Sequence, residues 1–200
     1  MDISEEKAKI RKEVIRRRRE LSSSVLSEIN KTLPDFVFAI DDDELRSKLK
    51  NAKRIALYRA VNGEVPVDSL AEAFIAKGIK CCFPRVTDDN EMIFCDCDGI
   101  NSAEFEEGAY GIKEPLSSKQ AVDPKSIDVV VLPAVAYNEE GTRLGMGGGF
   151  YDRFIASLGD KRPYLLGICY EFQICSNVPS DGHDISADFI AVIPEEVYGE

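Results

Sequence analysis

The stretch SIDVVVLPAVAY, residues 126–137, constrains this chain more than any other part of it. A continuous β-branched run has no polar side to turn to water, so it predicts a strand buried on both faces of a parallel sheet. Strand-like and helix-like segments alternate around it. RIALYRAV (54–61), IKCCFP (79–84, stopped by Pro84), EMIFCDC (91–97), PYLLGICY (163–170) and ADFIAVI (187–193) read as strands. The first thirty residues read as helix, with Ile10, Val14, Leu21 and Val25 at helical spacings, and Pro34 ends or redirects the second piece. DDDELRSKL restarts a helix with Asp41 to Asp43 as acidic caps. VDSLAEAFIAKG presents Leu70, Ala71 and Phe74 on one face, and FYDRFIASLG is a helix ending at Gly159. Residues 98–126 are polar and read mostly as loop. Such alternation predicts an α/β fold with a largely parallel sheet, and 200 residues predict a single domain, 1–200.

Directly after the buried strand comes GTRLGMGGGFYDRF (141–154), which holds five of the chain's 14 glycines between Gly141 and Gly149. Glycine lets main-chain N–H groups converge on an anion, and the loop precedes a helix N-terminus at the carboxyl end of a strand. A phosphate is the economical ligand. The loop is not a P-loop, since Phe150, Tyr151 and Asp152 follow Gly149 where Lys-Ser or Lys-Thr would stand. Nor is it a dinucleotide fingerprint, whose third glycine position is Phe150.

A net charge of −11 argues against nonspecific nucleic-acid binding. With no run of 18 apolar residues and a charged N-terminus, neither a membrane span nor a secretory signal is expected, and the protein is read as cytoplasmic. The six cysteines form no C-x-x-C pair, and a single histidine, His183, accompanies them. Buried reduced thiols are therefore expected rather than a metal or redox site.

The segment LPAVAYNEEGTRLGMGGGFYDRFIA resembles the signature of the 5-formyltetrahydrofolate cyclo-ligase family. KAKIR (7–11), RRRRELS (16–22), LYRAVNGEV (57–65), YGIKEP (110–115) and HDISAD (183–188) resemble further family motifs in the family's order. Met146, Gly148, Phe150 and Ala134 differ from the commoner residues at their places, which leaves the main-chain logic of the loop unchanged. The resemblance implies a three-layer α/β/α fold of the sugar-phosphate isomerase and CoA-transferase type. It also implies an ATP- and Mg²⁺-dependent conversion of 5-formyltetrahydrofolate into 5,10-methenyltetrahydrofolate, with ADP and phosphate released. A different ATP-using small-molecule kinase or ligase on the same frame, or a non-catalytic nucleotide- or folate-binding module, are the alternative readings.

The resemblance implies an ATP site made of Lys7, Arg11, Arg143, Leu144, Gly145, Met146, Gly147, Gly148, Gly149, Phe150 and Tyr151, with Arg143 and Tyr151 catalytic. It places the substrate on Arg59, Glu64, Tyr110 and the run Met146 to Phe150, and Mg²⁺ on Asp152 and Asp184. Plainer roles stand beside these. Lys7 and Arg11 share a helix face that water alone could solvate. Asp152 could neutralise Arg153, Glu64 could cap a turn, and His183 reads as a structural hydrogen-bonding group. Arg16 to Arg19 are expected to serve solubility and surface pairing, with Arg18 a candidate helper. Small-molecule partners and a monomer or weak dimer complete the expectation.

Overall fold

The computed structural model describes residues 3–108, 111–179 and 185–199. Along the chain these form α1 (Ile3–Glu20), α2 (Ser23–Ala39), α3 (Asp43–Asn51), β1 (Arg54–Ala56), α4 (Asp68–Ala76), β2 (Lys80–Val86) and β3 (Met92–Cys97). There follow β4 (Phe105–Glu107), β5 (Lys113–Pro115), β6 (Val129–Leu132), β7 (Ala136–Tyr137), β8 (Arg143–Leu144), α5 (Phe150–Leu158), β9 (Tyr164–Tyr170) and β10 (Phe189–Ile193). The central sheet has the order β10-β9-β6-β1-β2-β3, and every neighbouring pair is parallel except β2 and β3.

Period-two alternation along the strands divides their side chains between two cores. Ile55, Val129, Val131 and Leu166 face one side, where they meet Leu33 of α2, Leu45 of α3 and Phe74 of α4. Ala56, Val130, Leu132 and Leu165 face the other, against Phe154, Ile155 and Leu158 of α5. The result is the expected three-layer α/β arrangement. Burying each such side chain contributes roughly 1.5–3 kcal/mol, so the central strands are fixed by what covers them. A third, smaller cluster joins Val14 of α1 to Val135, Ala136 and Leu144.

Several boundaries differ from the expectation, each for a physical reason. The run 126–137 is two elements. β6 ends at Leu132, Pro133 supplies no N–H, and β7 pairs antiparallel with β8 outside the main sheet. RIALYRAV forms a strand only over β1; beyond it the chain turns away, the Tyr58 hydroxyl donating to the Val65 carbonyl at 2.8 Å. Pro84 does not stop β2. On the strand edge that Pro84 shares with Cys82 and Val86, the Cys82 carbonyl accepts from Leu57 N–H, but by Val86 the neighbour is the Glu114 carboxylate, because β1 has ended. An absent N–H costs nothing there.

Leu21 and Ser22 interrupt the first thirty residues, and the Ser22 hydroxyl caps α2 by accepting from Val25 N–H at 3.2 Å. Pro34 neither ends nor redirects α2, which continues to Ala39 because Ile29, Leu33 and Val37 lie at fourfold spacing and are all buried. Tertiary burial overrides the local penalty. Within 98–126, β4 and β5 form a hairpin whose Phe105 packs edge-on against Phe83, ring centroids 5.2 Å apart. Asp42 caps α3 as expected, accepting from Leu45 N–H at 2.7 Å. Among the described residues the six cysteines are free thiols, five of them buried, and no helix is long and apolar enough to cross a membrane.

Because Pro34 costs α2 a main-chain hydrogen bond without being needed for the buried face, Pro34→Ala should stabilise the protein by about 1–2 kcal/mol. Urea unfolding followed by circular dichroism measures this. An unchanged or lowered midpoint would show that the proline ring is itself a packing element.

Candidate active site

The carboxyl ends of β1, β2 and β6 open onto a cavity of about 450 Å³. α1 and the glycine loop form its far wall. Ligands bind at this end of open α/β sheets because the strands stop and the following loops diverge. All of the predicted site residues that the structure describes line this one cavity: Lys7, Arg11, Arg59, Glu64, Arg143, Leu144, Gly145, Met146, Gly147, Gly148, Gly149, Phe150, Tyr151 and Asp152. Tyr110, His183 and Asp184 lie outside the described residues.

The glycine loop runs from β8 to the first turn of α5. Gly147 has φ +102°, and Gly149, at the helix N-cap, has φ +65°, conformations that side-chain-bearing residues rarely adopt. Among the described residues, the N–H groups of Met146, Gly147 and Gly148 find no main-chain or side-chain acceptor. The carbonyls of the loop are held instead. Arg11 Nε donates to the Gly145 carbonyl at 2.9 Å, and Arg153 donates to the Gly148 carbonyl at 2.8 Å. Turning the carbonyls onto two arginines leaves the amides as the loop's available face. Met146 is 57% exposed, whereas Leu144 is buried against Val14.

Arg143 is buried beneath this loop. It donates to the Pro133 carbonyl at 3.2 Å and to Asp152 Oδ1 at 2.6 Å, while its Nε has no partner among the described residues. Asp152 Oδ1 also accepts from the N–H of Ile185, the third residue of the HDISAD motif, at 3.3 Å. Asp152 thus pairs with Arg143 rather than Arg153, and its Oδ2 carries no hydrogen bond among the described residues. Tyr151 lies beneath Arg143, ring centroid 5.9 Å from the guanidinium carbon, and burial pushes its phenol well above the ordinary value. It stays protonated at neutral pH.

On the opposite wall, Glu64 follows the turn Asn62-Gly63, both with positive φ. A Cβ on Gly63 would lie 2.5 Å from the Arg18 carbonyl, so only glycine lets the turn approach the end of α1. Glu64 accepts from Val61 N–H at 3.1 Å and lies 3.7 Å from the Arg18 guanidinium. Burial raises its carboxyl above the ordinary value, and Arg18 opposes the rise. Arg59 donates to Asp68 at 2.9 Å and lies over Phe105.

Arg18 departs from the solubility role expected of its run. Arg16 pairs with Glu13 and Glu20 in water and Arg17 lies over Phe172, but Arg18 is 3% exposed and donates to the Ala134 carbonyl. A helical signal was present: Lys7, Arg11, Val14 and Arg18 fall at i, i+4, i+7 and i+11, one stripe around a buried valine. Two further residues carried no such signal. Gln173 donates to the Ala134 and Val135 carbonyls at 3.1 and 2.9 Å. Glu114, buried in the hairpin, adds a third carboxylate to the cavity lining beside Glu64 and Asp152, and accepts from Val86 N–H at 3.2 Å.

A family model described as the 5-formyltetrahydrofolate cyclo-ligase family matches residues 3–193. The chain is 29% identical over 137 residues to a 5-formyltetrahydrofolate cyclo-ligase of Haemophilus influenzae, spanning 68% of this chain and 73% of that one. Its fold is similar to a 5,10-methenyltetrahydrofolate synthetase from Mycoplasma pneumoniae, with TM-score 0.68 and 30% identity over 96% of this chain and 98% of the other. The NMR structure of the Aquifex aeolicus 5,10-methenyltetrahydrofolate synthetase is similar with TM-score 0.75 and 29% identity, covering 93% and 89% of the two chains.

Removing one member of a buried ion pair strands the other, at a cost of about 3–5 kcal/mol. Arg18→Met should destabilise the protein by that order at pH 7. A carboxyl whose folded pKa lies above its unfolded 4.5 loses stability as pH rises from the unfolded value, and the loss levels off above the folded one. Without Arg18 the folded value rises further, so the deficit should shrink towards pH 4.5. Urea midpoints of both proteins across that range test this; a deficit independent of pH would remove Glu64 from the account.

Proposed function

The chain belongs to the 5-formyltetrahydrofolate cyclo-ligase family, and on that premise we propose that it closes 5-formyltetrahydrofolate to 5,10-methenyltetrahydrofolate with Mg²⁺ and ATP, releasing ADP and phosphate. One observation carries the assignment to this cavity. A run of amides without acceptors, at the start of α5, faces a space lined by cations from α1 in a protein of net charge −11. An acidic chain must supply its own local cations to hold a polyanion.

The residues fit a metal-bound triphosphate. The amides of Met146 to Gly148 and the N-terminus of α5 suit phosphate oxygens, with Lys7 and Arg11 balancing charge. Arg143 Nε, buried without a partner among the described residues, suits a further oxygen, and Asp152 Oδ2 suits a hard cation together with Asp184. When bound, Mg²⁺ would neutralise the β- and γ-phosphates. The chain's own part is alignment. A formyl group on N5 is amide-like, so its oxygen is a poor leaving group until the γ-phosphoryl is transferred to it. N10 then attacks the activated formyl carbon, phosphate departs with the former formyl oxygen, and the N10 proton is lost. No covalent nucleophile is required, in keeping with a cavity rich in glycine and cations.

Arg143, already oriented by Asp152 and the Pro133 carbonyl, stabilises charge on the transferring group. Tyr151, a protonated phenol at neutral pH, donates a hydrogen bond there. Glu64, Arg59, Tyr110 and the exposed side of the loop from Met146 to Phe150 hold the folate, the carboxylate suiting the donor-rich pterin edge. The 200 residues act as one domain in the cytoplasm, with ATP and the folate as small-molecule partners.

Mixing the protein with Mg-ATP and 5-formyltetrahydrofolate should produce the near-UV absorbance of the methenyl product. Folded protein that gives no change, or that hydrolyses ATP only with another substrate, would overturn the proposal. Lys7→Ala and Arg11→Ala should each raise KM for ATP about tenfold with a smaller change in kcat. Arg143→Ala should lower kcat by about 10²–10³.

A further inference from the structure

We propose that a second cavity, at the opposite end of the sheet, binds a small amphipathic anion: an apolar body carrying acidic groups. The cavity measures about 790 Å³ and lies between the C-terminal end of α2, α3, the C-terminal end of α4 and the first residues of β1 and β2. It shares no lining residue with the catalytic cavity.

Its floor is apolar and well packed, with Val37, Leu45 and Phe74 each at most 2% exposed and Phe38 meeting Phe74 edge-on at 5.7 Å. Its rim is cationic. Six of the fourteen lining residues are Arg46, Lys50, Lys53, Arg54, Lys77 and Lys80, and none is acidic, although the chain has 36 acidic residues against 25 basic ones. A quarter of the protein's cations thus surround one depression.

Part of that charge is already balanced. Arg46 pairs with Asp41 at 2.6 Å, and Asp96 holds Arg54 at 2.8 Å and Lys80 at 3.9 Å. The side-chain ammonium groups of Lys50, Lys53 and Lys77 form no ion pair among the described residues, and all three residues are exposed, although the Lys53 main-chain N–H donates to the Asp128 carboxylate at 2.7 Å. Lys77 lies 4.8 Å above the Phe38 ring, which links rim to floor. Three exposed ammonium groups that converge around one apolar pit form a local positive field that attracts anions the rest of the surface repels.

The volume is that of a small-ligand site, and the ends of several elements bound the pit while leaving its mouth open to solvent. A small occupant therefore fits better than a peptide strand or helix. Its apolar part lies on Phe38, Leu49 and Ile79, and its acidic groups reach Lys50, Lys53 and Lys77.

The test uses 8-anilinonaphthalene-1-sulfonate as the anionic probe and N-phenyl-1-naphthylamine as its neutral counterpart. Both are titrated by fluorescence, with saturating Mg-ATP present. The anion should bind one to one, the triple variant Lys50→Gln, Lys53→Gln, Lys77→Gln should weaken it at least tenfold, and binding of the neutral probe should change less than twofold. The triple variant should keep wild-type turnover of 5-formyltetrahydrofolate, which reports its folding; each single variant should weaken the anion two- to threefold and supplies the same reading should the triple not fold. Anion binding equal in the variants, or abolished by Mg-ATP, would overturn the proposal. So would a dimer seen by sedimentation equilibrium and lost in the triple variant, which would make the cavity a subunit interface.

Discussion

When β6 leaves the sheet at Leu132, the next three carbonyls are carried into the interior with no strand to accept from. A buried carbonyl without a donor costs about 1–3 kcal/mol, so partners must come from elsewhere in the chain. They come as two arginines and a glutamine: Arg143 to Pro133, Arg18 and Gln173 to Ala134, and Gln173 to Val135. The rest of the site follows from this. Arg18 fixes the end of α1, which places Lys7 and Arg11 on the cavity wall. Arg143 fixes Asp152, which sets the first turn of α5 and the loop before it.

The same anchoring concentrates charge. Two guanidiniums under the floor would be expensive in an apolar interior, so each has a carboxylate: Glu64 for Arg18 and Asp152 for Arg143. Both carboxylates also line the cavity. A structural requirement, satisfying the end of a strand, therefore leaves a cleft furnished with paired acids and cations. Close backbone approach completes it. Gly63 admits the Arg18 carbonyl, and a Cβ on Gly141 would meet the Ala187 carbonyl at 2.4 Å, so the segment after the HDISAD histidine is drawn up beside Asp152.

The two ends of the sheet are therefore different electrostatic environments. At the carboxyl ends of the strands, Arg18 and Arg143 are buried, paired and aimed by hydrogen bonds. At the amino ends of β1 and β2 they are exposed on lysine stems around an apolar pit. Guanidinium pairs hold a fixed, planar geometry, whereas flexible ammonium groups suit adaptable binding.

By itself the sequence determined an α/β fold with a largely parallel sheet and a glycine loop at a helix start. Each of these rests on local information: continuous apolar runs, helical spacing, and glycines where only positive φ will serve. The family motifs added an ordered set of side chains that fell around one cavity. What only the tertiary structure decided was where strands end and which charges are buried. Pro34 stands inside a helix and Pro84 inside a strand because packing and the length of a neighbouring strand, not local propensity, set the cost of a missing N–H. Arg18 differs from Arg16 and Arg17 only through its helix face and the carbonyl opposite it. Glu114 and Gln173 joined the site through partners distant in sequence, because hydrogen-bond satisfaction is a property of the folded interior.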